Sequence, residues 1–214
     1  MGPDFPHLHL ITDARRGRAP LAVVAAVVAA ARGRGATGRL AVQVRVEDDA
    51  TDRETYELAD AVLELCRPHG VMCLVNDRLH VALAVGADGG HVGAADLPVA
   101  AARRVLGPAG VLGATCRDAA AARAARRAGA SYLGVGPAYV TATKSGLPDP
   151  LGPAVVGDVA AAVPDTPIVA IGGVTAANAG ALMAAGAAAV AVVAAIADAA
   201  DPGRAAAELL EVLK

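Results

Sequence analysis

Short apolar runs without polar alternation recur eight times along this chain, and each is followed by a longer segment rich in Ala, Arg and Glu. The runs cover residues 8–12, 41–46, 71–75, 89–92, 111–114, 131–135, 167–171 and 188–193. A strand that is apolar on both faces has to be covered on both faces, which is the situation of a parallel sheet wrapped by helices. The intervening segments, residues 20–32, 52–67, 79–85, 98–105, 118–128, 152–163, 176–184 and 202–213, read as those helices. Asp52 and Asp118 are predicted N-caps, Pro98 and Pro202 fall near first helical positions, and Thr175 precedes the seventh helix. Gly70, Gly86, Gly129 and Gly186 suit the left-handed residue that ends a helix. Eight β-then-α units in 214 residues predict an α/β fold, a (β/α)8 TIM barrel forming one domain over residues 1–214. A doubly wound sheet is the alternative use of the same elements.

Composition narrows the function classes. Hydrophobic residues make up 55% of the chain and aromatics 2%, with no Trp, so Ala, Val and Leu must fill a large core. A net charge of −2 and an isoelectric point near 6.2 give no basic footprint for nucleic acid and no polybasic patch for a membrane. The early apolar run at residues 21–31 is too short to span a bilayer, and no secretory signal pattern is evident. Cys66, Cys73 and Cys116 are odd in number and form no C-x-x-C pair, which fits reduced thiols. These features together point to a cytoplasmic enzyme acting on small metabolites. Apolar Ala/Val helix faces would allow it to form a homo-oligomer.

A barrel of this kind displays its chemistry just after each strand. Reading only those positions gives Asp13; Gln43, Arg45 and Glu47; Asn76, Asp77 and Arg78; His91 and Asp96; Thr115, Cys116 and Arg117; Thr141, Thr143 and Lys144; Gly172 and Gly173; Val193 and Ala194. The second run alternates, so Gln43 and Arg45 share one face. If that face points into the barrel, an unpaired guanidinium would be costly and an anion should meet Arg45. A phosphate or diphosphate fits the planar fork, and a structural pair with Glu47 or Asp13 is the alternative. Asp77 and Asp96 end consecutive strands and make a Mg²⁺ site plausible, because that ion takes few carboxylates and completes its shell with water and phosphate. Read structurally, they are instead a turn residue and a helix cap. Residues 131–146 run from a buried strand through Gly136-Pro137 into Thr141, Thr143 and Lys144. Hydroxyls, an ammonium and open backbone N–H groups at a strand's end can bind phosphate. Gly172-Gly173 ahead of a helix, with Val193 and Ala194 after the eighth strand, matches the phosphate clamp of such barrels. His7, His9, His69 and His80 show no partner in the sequence, and His91 reads as structural. Cys116 has no neighbouring base to make it a nucleophile.

The motifs LITD at 10–13, VQVR at 42–45, NDR at 76–78, VALAVGAD at 81–88, GVGP at 134–137, TATK at 141–144 and AIGGV at 170–174 resemble thiamine phosphate synthases over nearly the whole chain. The resemblance implies a transferase that condenses a pyrimidinylmethyl diphosphate with a thiazole phosphate to give thiamine phosphate and diphosphate. It implies that Gln43, Arg45, Asn76, Thr115 and Lys144 hold the pyrimidine diphosphate and that Asp77 and Asp96 ligate Mg²⁺. It implies further that Thr141, Thr143, Gly173 and the backbone of Val193 and Ala194 hold the thiazole phosphate. Arg45, Lys144, Asp77 and Asp96 would then carry catalysis, by taking up the charge of the departing diphosphate. The chain departs from the pattern where Glu47 replaces a lysine in the substrate-binding set, Ala94-Ala95 replace polar residues, and Thr115 and Ala194 replace serines. Losing one cationic contact to a diphosphate would cost on the order of 2–4 kcal/mol. Two other readings follow: a non-catalytic binder of thiazole phosphate, and a thiazole tautomerase, whose histidine after strand 5 is replaced here by Arg117.

Overall fold

The computed structural model describes residues 5–143 and 146–214. Eight parallel strands close in sequence order: β1 Leu8–Ile11, β2 Leu40–Val44, β3 Met72–Asn76, β4 Gly89–Val92, β5 Val111–Cys116, β6 Tyr132–Val135, β7 Ile168–Ile171 and β8 Ala189–Val192. The cycle shuts where Leu8 pairs with Val190. The helices are α1 Pro20–Gly33, α2 Asp52–Cys66, α3 Leu79–Val85, α4 Val99–Leu106, α5 Ala119–Arg127, α6 Gly152–Ala162, α7 Ala176–Ala184, α8 Ala194–Ala197 and α9 Pro202–Val212. The TIM barrel expected from the eightfold alternation is therefore present, and the doubly wound alternative is excluded by closure.

Local chemistry explains the element ends, and it corrects several expectations. The N-cap of α2 is Thr51, not Asp52. Glu54 N–H donates to Thr51 Oγ1 at 3.2 Å, while Thr51 N–H donates back to Glu54 Oε2 at 2.7 Å. Asp52 instead pairs with His80 at 3.0 Å and with Arg78 at 3.2 Å. Asp118 caps α5 as expected, accepting from Ala121 N–H at 2.8 Å. Gly70 and Gly86 adopt φ of 64° and 68°, the left-handed termination predicted for them. His7 also has a partner, donating from Nδ1 to the Leu213 carbonyl at 2.9 Å, which ties the last helix to the first strand. Strand β2 stops at Val44, so Arg45 lies just past it, and β5 continues through Thr115 and Cys116. Helix α8 was not foreseen, since four residues carry no periodicity.

Two apolar compartments follow from strand alternation. Side chains such as Leu10, Val42, Val44 and Val75 pack outward against the helices. The inward set is Phe5, Ile11, Leu74, Tyr132, Val169, Ala189 and Ala191, joined by the buried polar residues His9, Gln43 and His91. Phe5 lies 5.3 Å from His9 and 5.7 Å from Tyr132, centroid to centroid, and Tyr132 lies 5.6 Å from His91. These rings fit because their neighbours have no side chain. A Cβ at Gly113 would stand 2.2 Å from Tyr132 Cζ and 2.3 Å from His91 Nδ1. Gly113→Ala is therefore expected to cost about 1–3 kcal/mol or more, since both rings are boxed in on every side. Urea unfolding at neutral pH measures this, with Gly38→Ala as a comparison at an uncrowded site of ordinary backbone conformation.

Candidate active site

Because all strands run parallel, their carboxyl ends share one rim, and four consecutive strands bring most of the expected polar groups there. Gln43 sits near the end of β2, with Arg45 and Glu47 just beyond it. Asn76 ends β3 and Asp77 follows, Asp96 lies in the loop after β4, and Thr115 is near the end of β5. Gln43 points inward and is buried, and its Nε2 donates to Tyr132 Oη at 3.4 Å. Arg45 is held through its backbone: Thr12 Oγ1 both receives the Arg45 N–H and donates to the Arg45 carbonyl, each at 2.8 Å. The anion beside its guanidinium is Glu47, with Nη1 to Oε1 at 3.7 Å. That separation is loose, and Glu47 is 40% exposed, so solvent weakens the pair.

Asp13 belongs to a different cluster. Arg15 grips its two oxygens at 2.7 and 2.6 Å, and Arg18 approaches at 3.1 Å. The Arg15 hydrogen bonds hold the Asp13 carboxyl below its ordinary value against the opposing effect of burial. The structural alternative of an Arg45–Asp13 pair is thus replaced by an Asp13–Arg15 clasp in the β1 loop.

Asp77 has φ of 59°, a left-handed geometry uncommon for a residue with a side chain. Its N–H donates to the His91 carbonyl at 2.8 Å, and its Oδ2 accepts from Asn76 Nδ2 at 2.6 Å. Asp96 Oδ2 accepts from Gly93 N–H at 2.8 Å, a contact open only because residue 93 has no Cβ, which would fall 2.8 Å from that same oxygen. Among the described residues, no group of three or more His, Cys, Asp or Glu could enclose a metal. Two exposed carboxylates on adjacent strand ends are nevertheless the donor set that suits Mg²⁺, a hard ion that keeps water and substrate oxygens in its shell.

On the opposite arc, the β6 and β7 loops are stitched together. Ala138 N–H donates to the Ile171 carbonyl at 2.7 Å, and Tyr139 N–H donates to the Gly172 carbonyl at 2.9 Å. Gly172 and Gly173 take φ of 94° and 66°, and a Cβ on Gly173 would come 2.4 Å from the Val140 carbonyl oxygen. Thr141 and Thr143 hydroxyls lie 3.2 Å apart. Val193 and Ala194 lead into α8 beside them in the barrel order. Lys144, expected to hold the pyrimidine diphosphate from this arc, lies outside the described residues. Arg117 braces this loop, donating to the Gly136 carbonyl at 3.1 Å and the Asp149 carbonyl at 2.8 Å. With those contacts it has a structural task, and it offers no base for the tautomerase reading.

Sequence reasoning missed the polar core beneath the rim. His91 Nδ1 lies 3.1 Å from Tyr132 Oη, and its Nε2 lies 2.9 Å from Thr115 Oγ1. Burial pushes the His91 ring down to about 4 and the His9 ring down to about 3. Neither ring nitrogen of His9 has a hydrogen-bond partner of ordinary geometry, and only the Pro6 carbonyl favours its protonated form. The available signal was the inward parity that His9, Gln43 and His91 share with Tyr132.

The family described as thiamine monophosphate synthase matches residues 8–196. This chain belongs to that family. The thiamine-phosphate synthase of Salinispora tropica is 62% identical over 206 residues, covering 96% of each chain. That of Moorella thermoacetica is 44% identical over 182 residues, covering 85% of this chain and 86% of its own. Among solved structures, thiamine phosphate pyrophosphorylase from Pyrococcus furiosus superposes with a TM-score of 0.84 at 32% identity, covering 97% of this chain and 95% of that one.

Buried neutral histidines have a pH consequence. Above about pH 6.5 they are uncharged both folded and unfolded, so they add no pH dependence. Below it the unfolded chain takes up protons that the folded barrel refuses, until pH falls to the folded values near 4 and 3. Stability should therefore decline as pH drops from 6.5 towards 4, by at most about 1.4 kcal/mol per pH unit for each histidine. Urea unfolding across that range should show a shallower decline for His9→Leu than for the unaltered protein.

Proposed function

We propose that the carboxyl-end rim is where this chain performs its family's reaction, the joining of a pyrimidinylmethyl diphosphate to a thiazole phosphate to give thiamine phosphate and diphosphate. The observation that supports this reading is the division of the rim. Ionic and amide groups occupy β2 to β5, while glycine-lined backbone and paired threonines occupy β6 and β7. The first arc suits a diphosphate that must leave, and the second suits a phosphate that only anchors.

The chemistry assigned to the residues is a dissociative substitution. The bond from the pyrimidinylmethyl carbon to the diphosphate oxygen breaks, and its electron pair leaves with the diphosphate. The lone pair of the thiazole nitrogen then forms the new C–N bond. No proton has to move, in keeping with a rim that shows no dedicated base among the described residues. Arg45 and Lys144 would hold the diphosphate and receive its growing charge, and Asn76 would orient it. Gln43 and Thr115 would fix the pyrimidine half of that substrate. Thr141, Thr143, Gly173 and the backbone at Val193 and Ala194 would hold the thiazole phosphate at a distance that lets its nitrogen meet the cation. Asp77 and Asp96 would hold Mg²⁺, which supplies charge neutralisation of the diphosphate when bound.

Glu47, standing where a lysine would be expected, favours a second reading in which the site binds but does not turn over. A lost lysine contact of about 2–4 kcal/mol would slow turnover rather than abolish it. Glu47 adds little to that loss, because a half-exposed pair of this looseness is worth about 1 kcal/mol or less and cannot hold Arg45 away from a diphosphate. The whole chain would act as one catalytic unit, cytoplasmic, with self-association through its helix faces. No helix among the described residues is long and apolar enough to cross a membrane.

With both phosphorylated precursors at saturation, thiamine phosphate should form only when Mg²⁺ is present. Folded protein that yields no product under those conditions overturns the reading. Arg45→Met should lower kcat/KM by roughly 30- to 1000-fold, the effect of one lost charge-assisted contact in the transition state. Glu47→Gln should change the KM for the diphosphate substrate by no more than about fivefold. A change of a hundredfold in either direction would give Glu47 a role of its own.

A further inference from the structure

Beneath the rim runs an unbroken chain of polar contacts from β2 to β5: Gln43 Nε2 to Tyr132 Oη at 3.4 Å, Tyr132 Oη to His91 Nδ1 at 3.1 Å, and His91 Nε2 to Thr115 Oγ1 at 2.9 Å. Its two inner members are buried rings that do not reach the rim, and its two outer members are groups assigned above to the pyrimidine substrate. Building this chain constrains the barrel. Gly113 is incompatible with any Cβ, and a Cβ on Gly134 would stand 3.0 Å from His91 Cε1. Two strands thus each give up one inward side chain, at Gly113 and Gly134, so that Tyr132 and His91 can meet.

We propose that Tyr132 and His91 are positioning residues that lock the donor and acceptor ends of Gln43 and the hydroxyl of Thr115 into one joint orientation, complementary to an aminopyrimidine edge. The inference rests on the function proposed above for its substrate. Each link carries a single proton, so fixing one fixes all of them. With the Gln43 amide N–H donating to Tyr132 Oη, as the structure has it, the buried tyrosine hydroxyl pairs its own proton by donating to His91 Nδ1. The neutral imidazole then carries its proton on Nε2 and donates to Thr115 Oγ1. Gln43 keeps its carbonyl and its second N–H for a ligand, and Thr115 keeps its hydroxyl proton. An acceptor beside a donor is the complement of an amino group beside a ring nitrogen. Turning the amide over exchanges the two positions and would require every proton in the chain to reverse. A 4-oxo pyrimidine, which offers a carbonyl beside an N–H, needs that reversed order and is therefore disfavoured.

The test uses binding, so that turnover is not required. Pyrimidinylethyl phosphonate analogues of the diphosphate substrate, in which a methylene replaces the oxygen between the pyrimidinylmethyl carbon and phosphorus and so prevents ionisation, are made with a 4-amino and with a 4-oxo group. Calorimetry with the unaltered protein and Mg²⁺ should show the amino compound favoured by a hundredfold or more. In Tyr132→Phe the ring still packs but the lock is gone. That preference should shrink to within about tenfold, while affinity for the thiazole phosphate stays unchanged. A folded Tyr132→Phe protein that keeps the full preference overturns the proposal. If the variant does not fold, ¹⁵N NMR of the histidine-labelled unaltered protein decides: His91 must be the Nε2–H tautomer, and an Nδ1–H tautomer overturns the assignment. Failure of both phosphonates to bind the unaltered protein removes the pyrimidine site itself, and this proposal with it, whereas binding with an unshifted ratio removes the lock alone.

Discussion

A closed barrel of parallel strands has to fill its own centre, and everything at the rim depends on how that is done. Here several inward strand positions carry little or no bulk: Ala41, Ala189 and Ala191, with Gly89, Gly113 and Gly134. Beside the aliphatic Ile11, Leu74 and Val169, the remaining volume comes from four rings, those of Phe5, His9, His91 and Tyr132. The chain has a single Phe and three Tyr, so a large part of its aromatic content is committed to this one place. Interiors pack at crystal-like density, and the match between bare strands and inserted rings is therefore reciprocal. Because three of the rings carry hydrogen-bonding atoms, and Tyr132 and His91 use theirs on each other, filling the centre also delivers a polar floor to the site above it.

The rim itself separates two electrostatic tasks. On one arc, arginine and carboxylates stand at the ends of neighbouring strands, a combination that is stable only while charges remain solvated or compensated. The exposed Asp96, the Asn76-supported Asp77 and the loosely paired Arg45 meet that condition without burying an unopposed charge. On the other arc the working groups are backbone amides and hydroxyls, whose orientation comes from glycine conformations and from contacts between loops. The Asp13–Arg15 clasp serves neither arc directly and secures the β1 loop at their junction.

The fold was legible in the sequence because its signal repeats: eight apolar runs and eight helical segments, each marked by glycine, proline or a capping residue, leave little freedom in topology. Where single residues decided an outcome, the reading was less secure. Asp52 looks like a cap, yet Thr51 wins because its partner Glu54 sits three residues on. Much of the rim could be named from strand-end positions alone, including Asp77 and Asp96. The Tyr132–His91 contact could not, because it joins residues 41 apart, and no local pattern reports which inward side chains meet across a barrel. Arg117 is visible in the sequence only as a strand-end residue, and its grip on two distant carbonyls emerges from the folded loop.

The strand-6 loop is closed at its base by two backbone hydrogen bonds, beside its attachments to the strand-7 loop and to Arg117. Leu151 N–H donates to the Pro137 carbonyl at 2.8 Å, and Gly152 N–H donates to the Ala138 carbonyl at 3.0 Å. A segment closed at its base in this way is thermodynamically insulated, since lengthening or shortening it changes the closure entropy only slowly and leaves the flanking strand and helix in register. What such a closure does not absorb is the loss of Thr141, Thr143 or Lys144 themselves, so tolerance of altered length belongs to the spacer between those residues and Leu151, while the scaffold beneath keeps its geometry.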